Sequence, residues 1–97
     1  MTDSLFIFAE ITPKPEHLAD ARDAIMGIVE ETRKESGCRS FTVLEGVKPG
    51  AIYLFEEWDD QGALDDHYAK PYTAAVFAQY ENWLAKPPKI KKLSLLG

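Results

Sequence analysis

A single cysteine, Cys38, stands among 97 residues. No intrachain disulfide can form, and no thiolate cluster can hold a metal. No apolar run approaches the roughly 20 residues that a membrane-spanning helix requires. The opening residues, Met1 to Ser4, lack the basic start and cleavage site of a signal peptide, so a cytoplasmic protein is expected. Positive charge is scarce: 11 basic residues face 16 acidic ones, for a net charge of −5. That shortage argues against nucleic acid or an anionic membrane as partner, since both require a basic face. No Gly-x-Gly-x-x-Gly is present to cradle a flavin or nicotinamide phosphate. Histidines number two, whereas a metal needs three or four convergent ligands. His17 falls at the polar start of the first helix, and Asp65 and Asp66 read as a solvated helix face, so no metal site is expected.

What is present is ordinary for a globular chain, with 45% hydrophobic and 28% charged residues. One domain over residues 1–97 is the expectation. A chain of this length buries only about 60–65% of its unfolded surface, so a partner subunit would help.

Leu5 to Ile11 is rich in β-branched and aromatic residues and reads as a strand ended by Pro13. Leu18, Ala21, Ile25, Ile28, Val29 and Thr32 follow at helical spacing, and Gly37 suits a left-handed end to that helix. Arg39 to Val47 alternates as a second strand, with Phe41, Val43, Glu45 and Val47 on one side. Lys48-Pro49-Gly50 supplies a turn, and Ala51 to Trp58 returns as a third strand. Asp59 is placed to cap a short helix whose shared face carries Ala63, Leu64, His67 and Tyr68. Pro71 should divide it from a second helix with Tyr72, Val76, Tyr80, Trp83 and Leu84 as its stripe. Pro87-Pro88 close that helix, and Lys89 to Leu96 reads as the last strand. Its lysines suit an exposed edge.

This order implies an α+β, ferredoxin-like fold: a four-stranded antiparallel sheet with helices on one face. The first strand is apolar on both sides, Leu5, Ile7, Ala9 and Ile11 against Phe6 and Phe8. The third repeats this with Ile52 and Leu54 against Tyr53 and Phe55. One helix layer covers one face, so a second copy is expected on the other, giving a homodimer.

The densest chemical cluster runs from Phe55-Glu56-Glu57-Trp58 to His67 and Tyr72. Glu56 and Trp58, two apart on a strand, point to one side. His67 lies on the helix face that meets the sheet, either as a hydrogen-bonded core residue or as a base suited to neutral pH. Cys38, with no base near it in sequence, reads as a small buried hydrophobe.

Glu56-x-Trp58, Ala63-Leu64, His67, Pro71 and the aromatic Tyr72 together resemble the signature of the antibiotic biosynthesis monooxygenase family. Glu35-Ser36-Gly37-Cys38 is similar to a Glu-x-Gly-Cys found in that family ahead of the second strand. The resemblance spans essentially the whole chain and implies a dimeric α+β barrel. The family signature has a second histidine where this chain has Tyr72, so proton abstraction would rest on His67 alone. Haem-degrading relatives need an axial histidine beyond this point, and none follows His67.

The resemblance implies a monooxygenase without cofactor that oxidises an electron-rich aromatic, a quinol or anthrone, with dioxygen. His67 would be the catalytic base. Trp58 and Tyr72 would orient the substrate ring, and Glu56 would hold the imidazole tautomer or serve structure. The alternatives are a non-catalytic small-ligand-binding or stress-response domain on the same scaffold, and an isomerase or tautomerase using the same base.

Overall fold

The computed structural model describes residues 3–97; Met1 and Thr2, part of the segment read for a signal peptide, lie outside them. Leu5–Ile11 forms β1. Pro15 opens one turn of 3-10 helix, Pro15–His17, that leads into α1, Leu18–Met26. The single first helix expected from periodicity is two, with α2 at Val29–Arg33. Gly27 marks the break, a residue that loses more backbone freedom in a helix than any other. The apolar stripe survives it, because Ala21, Ile25, Val29 and Thr32 are all buried.

Gly37 does not end a helix in a left-handed turn: Gly50 is the one glycine with positive φ among the described residues, at 142°. Gly37 is small for another reason. A Cβ there would collide with the Ala63 side chain, and the Gly37 carbonyl accepts the Asp59 N–H at 2.9 Å. The chain entering β2, Cys38–Glu45, thus lies hard against the next helix layer.

β3 is Ile52–Trp58. Val47, expected on the second strand, sits fully exposed in the hairpin loop, which closes with the Gly46 N–H on the Ala51 carbonyl. Asp60, not Asp59, caps α3, Gln61–Ala69, by accepting the Ala63 N–H at 2.9 Å. Asp59 instead accepts from Arg39 Nε at 2.6 Å. Pro71 does divide the helices: Lys70 is extended, and α4 runs Pro71–Trp83 with proline in its first turn. β4 is Lys89–Leu93, shorter than expected. Leu93 pairs with Phe6, so the strand stops as β1 runs out, leaving Leu95 and Leu96 exposed.

The sheet order is β2-β3-β1-β4 with every neighbour antiparallel, the ferredoxin-like arrangement. The helices cover one face. Ile7, Ala9, Ile11, Phe41, Ile52, Leu54 and Trp58 meet Ala21, Ile25, Leu64 and Val76 there in the core. The other face carries Phe6 near Phe55 (ring centroids 6.0 Å apart) and Phe8 stacked near Tyr53 (5.8 Å). Leu44 and Leu93 flank these rings, each more than two-fifths exposed.

Candidate functional site

His67 lies in the last turn of α3, on the face that Leu64 also buries, and is 3% exposed. Capping by Asp60 and the Pro71 break fix the length of α3, and with it the depth at which the imidazole enters the core. Trp58 packs on the ring, 4.7 Å between centroids, and Phe41 flanks it at 5.9 Å. An imidazole held between aromatic walls has few orientations left to it.

Its polar partner is Glu35. The Glu35 Oε2 lies 2.9 Å from His67 Nδ1 and also accepts from the Tyr72 hydroxyl at 2.5 Å. The Glu35 side chain is 9% exposed. Its backbone is tied at both ends of a tight turn: its N–H donates to Thr32 and its carbonyl accepts from Cys38, both at 3.0 Å. Close approach at Gly37 brings this turn against α3, and Tyr72, in the first turn of α4, reaches it from beyond Pro71. A carboxylate beside Nδ1 holds the hydrogen on that nitrogen and leaves Nε2 with the lone pair. Burial and the bond to Glu35 both push the Tyr72 phenol upward, so it remains a donor at neutral pH.

Glu56 is 4% exposed on β3, and its Oε1 accepts the Trp58 indole N–H at 2.9 Å. Burial raises its carboxyl to about 7; the Trp58 hydrogen bond opposes this and the charge of Glu35 adds to it. Glu56 and His67 share the wall of a narrow cavity of about 30 Å³ between the sheet and α3–α4, room for a water or two. The remaining wall is mainly apolar, from Ile25, Leu54, Val76 and their neighbours. Tyr68, Phe77 and Ile90 border both this cavity and a shallow depression outside it, which identifies them as the rim. Its lining, apolar with a few convergent polar groups, has the composition of a small-molecule site.

The sequence-derived residues fall into two groups. His67 and Glu56 face the cavity; Trp58 and Tyr72 are not on its wall and contact the polar groups from behind. Holding the imidazole tautomer, considered above for Glu56, falls to Glu35, because Glu56 is engaged by Trp58 instead. Sequence reasoning did not assign Glu35 a role, although Glu35-Ser36-Gly37-Cys38 was the signal that pointed to it. His17 pairs with Asp20 at 2.9 Å on the surface. Burial, with Glu35 and Glu56 nearby, pushes the Cys38 thiol up to about 11, so it is a poor nucleophile at neutrality. Among the described residues no three His, Cys, Asp or Glu side chains converge as metal ligands, and no helix is long and apolar enough to cross a membrane.

The chain is 30% identical over 96 residues to a Mycobacterium tuberculosis protein named "Putative monooxygenase Rv0793", covering 99% of this chain and 95% of that one. The solved structure of Rv0793 superposes with a TM-score of 0.92 over 97% of this chain and 96% of that one, at 29% identity. The structure of PA3566 from Pseudomonas aeruginosa gives 0.94 over 100% and 98%, at 26% identity. The model of the antibiotic biosynthesis monooxygenase family matches residues 4–79, which span β1 and most of α4, with Glu35, Glu56, His67 and Tyr72 inside the match. The chain belongs to the antibiotic biosynthesis monooxygenase family.

Proposed function

We propose that this chain is a monooxygenase that works without a bound cofactor on an electron-rich aromatic of quinol or anthrone type. Family membership and the named relative support a monooxygenase-like function. The observation that carries the finer reading is the Glu35–His67 pair at the wall of an apolar cavity. Triplet dioxygen reacts sluggishly with neutral singlet organics, whereas the anion of such an aromatic can pass it an electron. The protein then needs a base, a dry pocket and orienting donors.

For an anthrone the steps balance. His67 Nε2 takes a proton from the reactive CH₂. The carbanion gives one electron to dioxygen, and the resulting radical pair joins as a C–O bond. The proton returns to the peroxide, which loses water: R₂CH₂ + O₂ gives R₂C=O + H₂O. Glu35 stabilises the imidazolium formed on the way. Trp58 and Tyr72 act as positioning residues, Trp58 by packing on the imidazole and Tyr72 through Glu35; Glu56 is the second polar contact for the substrate.

The working form is a homodimer, two copies joined through the sheet face that bears Phe6, Phe8, Tyr53 and Phe55, and its compartment is the cytoplasm. The partners are thus a small aromatic substrate, dioxygen and a second copy of the chain, with neither nucleic acid nor membrane involved.

The test is oxygen uptake with a panel of hydroquinones and anthrones, in air and under nitrogen. His67→Ala should lower the rate about 10²–10⁴-fold. Oxygen uptake no faster than autoxidation across the panel would favour the small-ligand-binding reading. Turnover that proceeds equally well under nitrogen would favour an isomerase or tautomerase.

A further inference from the structure

We infer that Glu56 reads the ligand as a neutral carboxylic acid, donating its proton to a carbonyl oxygen of an uncharged aromatic ketone or quinone. The inference rests on the cavity being the substrate site, and extends it by naming the charge and the polar group of what enters.

The first support is geometry. Glu56 is 96% buried, yet it lies on the cavity wall, and only its Oε1 is held, by the Trp58 indole N–H. An indole N–H only donates, so Oε1 is an acceptor, and in the neutral acid it is the carbonyl oxygen. The hydroxyl hydrogen then belongs on Oε2. That hydroxyl is the donor available to a ligand.

The second support is the charge around it. Among the described residues no lysine or arginine lines the cavity. The groups facing Glu56 from the elements packed on it are Glu35 before β2, Cys38 on β2, His67 and Tyr68 on α3 and Tyr80 on α4. Burial and Glu56 push both phenols upward, Tyr68 to about 12, and Cys38 is likewise held neutral. Glu35 already contributes the one negative charge opposite His67. A carboxylated or sulfonated ligand would bring another without a counterion, at a large desolvation cost. With its carboxyl raised to about 7, Glu56 is mostly protonated at pH 6 and about half protonated at pH 7.

A purely structural Glu56–Trp58 pair would show the same hydrogen bond but would leave ligand affinity insensitive to its protonation. The probe that separates the two is 1-tetralone, a bicyclic aromatic ketone that does not ionise. Its calorimetric affinity should fall about tenfold or more between about pH 6 and about pH 9 as the donor is lost. Tetralin, which lacks the carbonyl, should show no such fall. Glu56→Gln keeps a neutral donor and should flatten the profile. 1-Tetralone bearing a ring carboxylate should bind about tenfold or more weakly at pH 6. With ¹³C-labelled carbonyl, the infrared stretch of bound 1-tetralone should drop at pH 6 and recover at pH 9, a readout independent of any variant. A flat wild-type profile, an unshifted carbonyl, an unchanged profile in Glu56→Gln, or no binding of 1-tetralone at any pH would overturn the inference. None of these measurements requires oxygen or turnover, so they fail or succeed separately from the monooxygenase reading.

Discussion

The helix-covered face of the sheet and its open face are both rich in apolar side chains, but only the covered face combines them with buried ionisable groups. On the covered side Glu56, His67 and the nearby Glu35 are joined to Trp58 and Tyr72 by directed hydrogen bonds. On the open side Phe6 contacts Phe55 and Phe8 contacts Tyr53 ring to ring, and the polar neighbours in register, Glu10, Thr42, Glu57 and Lys91, are not buried. Apolar burial is non-directional and suits association with another surface, whereas hydrogen-bonded polar groups fix single geometries and suit chemistry. Under the proposed function, the two faces of one sheet would divide assembly from catalysis.

Substitutions should respect that division. The largest expected effect is Trp58→Ala on the covered face. Removing a fully buried indole should cost about 3–5 kcal/mol, seen as a lowered urea midpoint, and should free the Glu56 carboxyl and the His67 ring to reorient. Next is the pH dependence of stability. Glu56 titrates near 4.5 when unfolded and near 7 when folded, so the folded chain binds its proton more tightly. Stability is full below about 4.5, declines as pH rises toward about 7 and is level above that, a loss of about 3 kcal/mol. Glu56→Gln should abolish this slope in urea titrations at pH 5 and pH 8; an unaltered slope would assign the titration to another group.

On the open face, Phe55→Lys should weaken the dimer about 10- to 100-fold in sedimentation while circular dichroism and the Glu56 slope stay as they were. A wild-type chain that sediments as a stable monomer would break the comparison, because the aromatic face would then have no cover. The smallest effect is expected from Asp60→Ala, which removes the α3 cap for about 1 kcal/mol. It should loosen His67 alone, seen as faster amide exchange through α3 with the dimer intact.

Much of this was legible because alternation and helical spacing report which side of an element is buried. β1 and β3 could be read as two-faced from Phe6, Phe8, Tyr53 and Phe55, and Pro71 as a helix boundary from its missing N–H. Periodicity does not report which buried residues meet across elements. Glu35 lies 32 residues from His67 and follows Glu30 and Glu31, so it reads as one more solvated acid until Gly37 lets the turn close on Ala63. The same limit misassigned the cap: Asp59 and Asp60 are equivalent in sequence, and only Arg39, arriving from β2, takes Asp59 away. The break at Gly27 was equally hidden, since the stripe continues across it.

The pairing of β1 with β4 has a consequence for how the protein is made. Ala9 lies opposite Ile90, and both line the cavity, so its wall joins the first and last of these four strands in chain order. A nascent chain that has already emerged through α4 holds Glu35, Glu56, His67 and Tyr72, yet has no closed cavity around them. Until β4 arrives, the edge of β1 is also unpaired and open to wrong partners. The cavity wall is therefore complete only once β4 has been added.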